Sequence, residues 1–171
     1  MKNKHLINII TAALFAAFIF AATAYLPRIP LPGGLGYVHI GDAFILLCAS
    51  LLQKRYSVCA GAIGGMLADI VTGYAIYAPF TAVAKAGIAL CISSRGDKCL
   101  SKHNMLFSLI TVPVTVIVYF AADAIIAGSL TAPLASAPFN ALQAVISIAL
   151  FFLCAKLIDA ASIKNKITKQ P

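Results

Sequence analysis

Ile40-Gly41-Asp42-Ala43-Phe44-Ile45-Leu46-Leu47-Cys48-Ala49-Ser50-Leu51-Leu52-Gln53 is the stretch on which the architecture turns. Its 14 residues fall short of the ~20 that cross a bilayer core as a helix, so it reads as a short crossing or as a re-entrant or interfacial piece. Charge parity chooses between them. The apolar stretches lie at about 6–26, 40–53, 56–73, 77–94, 104–127 and 138–160. If all cross and the N-terminus is inside, Lys2, Lys4, Lys54, Arg55, Arg95, Lys98, Lys102, Lys156, Lys164, Lys166 and Lys169 lie inside, eleven of the thirteen basic residues. Arg28 alone lies outside, and Lys85 falls within a span. If 40–53 does not cross, everything beyond it inverts, which leaves two basic residues inside and ten outside. The sequence therefore predicts an all-α integral membrane protein with six transmembrane helices, both termini cytoplasmic, and residues 1–171 as a single membrane domain.

Composition agrees. Of 171 residues, 61% are apolar and 11% charged, with no glutamate and no tryptophan; soluble chains carry about 25% charged residues. Six spans leave no room for a separate soluble catalytic or nucleotide-binding domain. The net charge of +8 is a topology signal rather than a nucleic-acid patch, and it suits anionic lipid headgroups. Lys2, Lys4 and Ala22-Thr23-Ala24 imitate a secretory signal, but the apolar run from Leu6 to Leu26 exceeds the ~7–15 residues of a signal core, so a retained helix is expected. Cys48, Cys59, Cys91, Cys99 and Cys154 form no C-x-x-C pair and the three histidines are scattered, so no metal site or cofactor is expected.

Ionisable groups inside a membrane are costly and mark pathways or pockets. Asp42, Asp69 and Asp123 fall near the outer ends of the second, third and fifth spans, and Lys85 lies about eight residues into the fourth, ~12 Å deep at 1.5 Å per residue. A channel or proton relay places polar groups along its whole depth, whereas these collect in the outer half, as expected of a binding pocket open to the exterior. Asn140 and Gln143 share a face of the sixth span at spacing three. Tyr37, Tyr74, Tyr77 and His39 add rings and hydrogen-bonding groups at the same level, a set suited to a small polar heterocycle. Plainer roles exist for each: Asp42 as a helix cap, Asp69 or Asp123 as the counter-ion of Lys85, the tyrosines as an interfacial belt, Asn140 as a cap after Pro138. The outer loop 27–37, with three prolines and then three glycines, is a connector or a lid. Ala12, Ala13, Ala16 and Ala17 on the first span, like Ala60/Gly64 and Gly61/Gly65 on the third, offer small-xxx-small faces for a neighbouring helix or a membrane partner. With no P-loop present, the energy for any active uptake must come from elsewhere, which makes a membrane partner attractive.

Gly36-Tyr37-Val38-His39-Ile40-Gly41-Asp42-Ala43, Gly61-Ala62-Ile63-Gly64-Gly65-Met66-Leu67-Ala68-Asp69, Gly73-Tyr74-Ala75-Ile76-Tyr77-Ala78-Pro79 with Lys85, and Pro138-Phe139-Asn140-Ala141-Leu142-Gln143 resemble the substrate-binding S components of energy-coupling factor (ECF) vitamin transporters. The resemblance runs through nearly the whole chain and is strongest to the riboflavin, pyridoxine and hydroxymethylpyrimidine branch. It implies a micronutrient captured from outside beneath the first outer loop, here 27–37. It also implies docking, through an Ala-xxx-Ala face matched by Ala12/Ala16 or Ala13/Ala17, on a transmembrane T component driven by two cytoplasmic ATPases. In the riboflavin branch a lysine stands three residues after the Asn of Pro-Phe-Asn; here it is Gln143, which points toward a smaller neutral or cationic heterocycle. The rival reading is a stand-alone secondary transporter coupling a cation through Asp69, Lys85 and Asp123. No Ser/His, H-E-x-x-H or paired-carboxylate arrangement suggests an enzyme.

Overall fold

The computed structural model describes residues 2–30, 37–162 and 164, so most of the proposed lid, 31–36, lies outside the described residues. The chain is mostly helical: α1 (Lys2–Ala24), a two-residue antiparallel pair β1 (Ile29–Pro30) and β2 (Tyr37–Val38), α2 (Gly41–Leu51), α3 (Lys54–Val71), a 3-10 turn (Ala75–Tyr77), α4 (Ala78–Cys91), α5 (Lys102–Ser108), α6 (Thr111–Ala127) and α7 (Thr131–Ala160). Every apolar stretch read from the sequence contains a helix. Three helical stretches, His5–Ala24, Lys102–Ala127 and Thr131–Ala160, are long and apolar enough to cross a membrane by themselves.

The 40–53 stretch forms α2, only 11 residues and about 16 Å long at 1.5 Å per residue. It lies at the centre of the bundle and packs on α1, α3, α4 and α7. Every α2 residue except Phe44 is buried. A helix that buries its whole circumference has no polar face to show, which explains its nearly uninterrupted apolar sequence. Ile45, Leu46, Leu47 and Cys48 join Ile19, Ile88, Ile148 and Phe151 in the core.

Two boundaries differ from the sequence reading. The 104–127 stretch is broken into α5 and α6 around Leu109–Ile110. Pro113 has no N–H to donate, and its ring crowds the carbonyl four residues back, that of Leu109. The backbone responds with i→i−3 bonds from Ile110 to Phe107 (3.1 Å) and from Val112 to Leu109 (3.2 Å). α7 begins at Thr131 rather than near 138, so Pro138 stands inside a 30-residue helix. That placement costs one helical hydrogen bond, a cost tolerated where neighbouring helices surround the backbone.

Close packing needs small residues. A Cβ on Gly64 would sit 2.6 Å from the Ala16 carbonyl oxygen, so glycine is what lets α3 approach α1. At the end of the bundle carrying the α4–α5 connection, Asp159 accepts from the Cys99 and Leu100 N–H groups at 2.7 and 2.9 Å. The carboxylate thereby anchors the end of α7 to that connection.

Candidate ligand-binding site

Lys85 is the only lysine or arginine placed mid-helix in the bundle interior among the described residues, and it is fully buried. Gly65 makes room for it: a Cβ there would meet the Lys85 stem at 2.8 Å. Its ammonium lies 2.6 Å from Asp42 Oδ1, a pair with 0% and 3% of the side chains exposed. The other Asp42 oxygen accepts from Gln143 Nε2 at 3.0 Å, and Gln143 Oε1 accepts from the His39 backbone N–H at 3.2 Å. One polar chain thus links α4, α2, α7 and the exit of β2. Lys85 also stands 5.4 Å from the centre of the Tyr119 ring, within cation–π range. An ammonium carries three N–H groups; apart from the ion pair, Lys85 has no hydrogen-bond partner among the described residues.

Two further carboxylates border this chain. Tyr37 donates to Asp69 at 3.4 Å and lies 3.3 Å from the Thr72 hydroxyl, which ties the end of the outer loop to α3. Asp69 Oδ2 is buried without a hydrogen bond of ordinary geometry, although the Thr81 hydroxyl is near it. Asp123 is held on both oxygens, by Tyr77 at 2.9 Å and by Ser136. Tyr37, Tyr74 and Tyr77 run in succession with ring centroids 5.2 and 6.3 Å apart, and Arg28 covers Tyr37 at 4.8 Å. Burial, reinforced by the Lys85 charge, pushes the His39 imidazole down to about 3. The neutral ring accepts from the Gly41 N–H through Nδ1 at 3.0 Å. Burial likewise raises the Tyr37 phenol, which stays protonated.

Tyr37, His39, Asp42, Asp69, Tyr77, Lys85, Asp123, Asn140 and Gln143 therefore converge on one end of the bundle. Several of the plainer roles do not hold. Asp42 is not a helix cap, since α2 has Ile40 at its N-cap and no side-chain cap bond. The counter-ion of Lys85 is Asp42 rather than Asp69 or Asp123: the ion pair at 2.6 Å is to Asp42, while Tyr37 donates to Asp69 and Tyr77 to Asp123. Asn140 lies nine residues inside α7 and caps nothing; its side chain is buried one turn before Gln143. Sequence reasoning missed Tyr119, Ser136, Thr72 and Thr81. Tyr119 is detectable, four residues before Asp123 on the same face of α6; Ser136 is not, because it precedes the apolar stretch 138–160.

The net balance of the cluster is negative. Three aspartates face one lysine, and His39 is neutral. Groups without a hydrogen bond among the described residues remain for a ligand: Lys85 Nζ, beyond its ion pair, and Asp69 Oδ2. Ala12, Ala13 and Ala16 lie elsewhere, with Ile9, Tyr56, Cys59, Ala60 and Ile63 around an entirely apolar groove of about 310 Å³ between α1 and α3. Ala17 is not among the residues lining that groove.

A solved structure described as "Structure and mechanism of the S component of a bacterial ECF transporter" superposes with a TM-score of 0.71, covering 99% of this chain and 100% of that one. Identity is 17%, so this likeness is one of fold. A Pyrococcus woesei protein described as "Uncharacterized protein in gap 3'region" is 43% identical over 63 residues. That match covers 37% of this chain and 42% of the relative's length, so the chain spans less than half of that relative. The family model of the ECF-type riboflavin transporter S component matches residues 3–160. The chain belongs to this family of membrane-embedded ECF transporter S components.

Proposed function

We propose that this chain is the substrate-binding subunit of an ECF-type importer in the cell membrane of a prokaryote. It crosses six times with both termini in the cytoplasm and captures a small water-soluble vitamin or precursor from outside. The observation that carries the reading is the buried Lys85–Asp42–Gln143–His39 chain, with Lys85 N–H groups left over beyond its ion pair. A buried ion pair is weak evidence for stability, since an apolar replacement often folds as well; its unused donors fit a polar ligand. The ligand is a pyridoxine-, hydroxymethylpyrimidine- or riboflavin-like heterocycle. The surplus of carboxylates favours a neutral or cationic ring with donor groups for Asp69. The ring takes hydrogen bonds from Lys85 and Asn140 and stacks on the tyrosines at the mouth.

The chain performs no chemistry on its ligand. Translocation requires a transmembrane T component, docked on the groove that holds Ala12, Ala13 and Ala16, and two cytoplasmic ATPases. Mass spectrometry of small molecules that co-purify with the detergent-solubilised protein tests the reading: a vitamin-like heterocycle is expected, and its absence together with no binding across a vitamin panel overturns it. Uptake by this chain alone in liposomes under an ion gradient favours the secondary-transporter reading.

A further inference from the structure

The end of the bundle opposite the Lys85 cluster holds a second concentration of charge. Gln53, Lys54, Ser93, Ser94, Arg95 and His103 surround a cavity of about 580 Å³. They come from three pieces of chain: the start of α3, the α4–α5 connection and the first turn of α5. Among the described residues no carboxylate lines it, and the acidic residue of that connection, Asp97, is exposed outside the lining.

The frame of this cavity is fixed. Buried Asn104 accepts from the Ser93 N–H at 2.9 Å and donates to the Ser93 and Cys99 carbonyls at 2.8 and 2.9 Å. The His103 ring stacks on Phe107 with centroids 4.1 Å apart. Lys54 spends one N–H on the Leu90 carbonyl at 3.1 Å, which leaves the others unused among the described residues. α3 opens here with no side-chain cap and no acidic residue in its first turn, so the positive end of its dipole adds to the same field. The flanking segments expose Leu90, Leu106 and Leu109. In a bilayer those side chains lie among acyl tails, which puts the basic cavity at headgroup depth.

We propose that this cavity binds a phosphate group, presented by the headgroup of an anionic lipid. The two cations and the histidine meet the phosphate oxygens, the serine hydroxyls and the Gln53 amide supply neutral donors, and the leucines hold the lipid tails. Inorganic phosphate offers the same chemistry without the tails, and the test separates the two sources.

Native mass spectrometry of the protein, released from micelles doped with equal phosphatidylglycerol and phosphatidylcholine, reads lipid preference. Thermal melting in phosphate against chloride at matched ionic strength reads the free anion. The site variant is Lys54→Gln with Arg95→Gln. The charge-matched control, Lys98→Gln with Lys102→Gln, removes two exposed cations of the same end that lie outside the cavity. The expected result is a phosphatidylglycerol preference that falls about tenfold in the site variant and stays in the control. Phosphate protection lost in the site variant alone, without lipid preference, keeps the site and changes the source. Equal loss in both variants, or no preference and no protection in the wild type, overturns the proposal. If the double variant fails to fold, Arg95→Gln alone carries the same comparison.

Discussion

At the scale of single residues, the account rests on Lys85 and what surrounds it. Removing one member of a buried ion pair strands the other in a low-dielectric interior, whereas removing both does not. Asp42→Asn is therefore expected to destabilise the protein by about 3–5 kcal/mol in thermal melts. Lys85→Met with Asp42→Leu is expected to recover most of that loss while abolishing ligand binding. If the double variant still binds, the pair is outside the site. His39 gives a pH signature. Its folded value, about 3, lies below the free value of 6.5, so the unfolded chain binds a proton that the folded chain refuses. The stability it contributes is complete above about pH 6.5 and drains away as the pH falls toward 3. Unfolding measured near pH 5 should show a loss on the order of 2 kcal/mol, reduced in His39→Asn, which retains an acceptor for the Gly41 N–H. The ionisable members of this site were legible in the sequence because charge in an apolar run is conspicuous. Their pairing was not. Which carboxylate meets Lys85 depends on how α2 and α4 rotate about their axes, and side-chain spacing along each helix is silent on that.

At the scale of elements, helices were legible from apolar runs and their ends were not. Pro113 and Pro138 show why. Both interrupt apolar sequence, yet Pro113 breaks its helix while Pro138 sits inside one. The difference lies in what packs around each, which a single chain read in one dimension does not contain. Similarly, α2 has only 11 residues, is buried among four neighbours, and so falls short of the length that crossing a bilayer asks of a lone helix. Close approach of elements gives the prediction at this scale. Gly64→Ala places a methyl against the Ala16 backbone, and separating α1 from α3 should cost about 1–3 kcal/mol in melting experiments. Because α1 and α3 also frame the groove with Ala12, Ala13 and Ala16, the same variant should weaken assembly with a T component more than ligand binding. Pull-down and ligand titration on one preparation compare the two.

At the scale of the whole molecule, two ends with opposite character follow from where the chain puts its charge. One end gathers three aspartates, a lysine and the tyrosines; the other gathers lysine and arginine side chains around the α2–α3 and α4–α5 connections. On the proposed topology a cysteine replacing exposed Lys102 is labelled by an impermeant maleimide only after cells are opened. One replacing exposed Thr131 is labelled on intact cells. The reverse pattern inverts the orientation. The central claim is that the buried polar cluster holds a small heterocycle without help from another subunit. Equilibrium titration of the purified chain with a panel of heterocyclic vitamins, run in parallel on Asn140→Ala and Lys85→Ala, tests it most directly. The account predicts saturable binding of one of them, weakened by about 1–3 kcal/mol in at least one variant through a lost buried hydrogen bond; no binding by the wild type, or equal affinity in all three proteins, contradicts it.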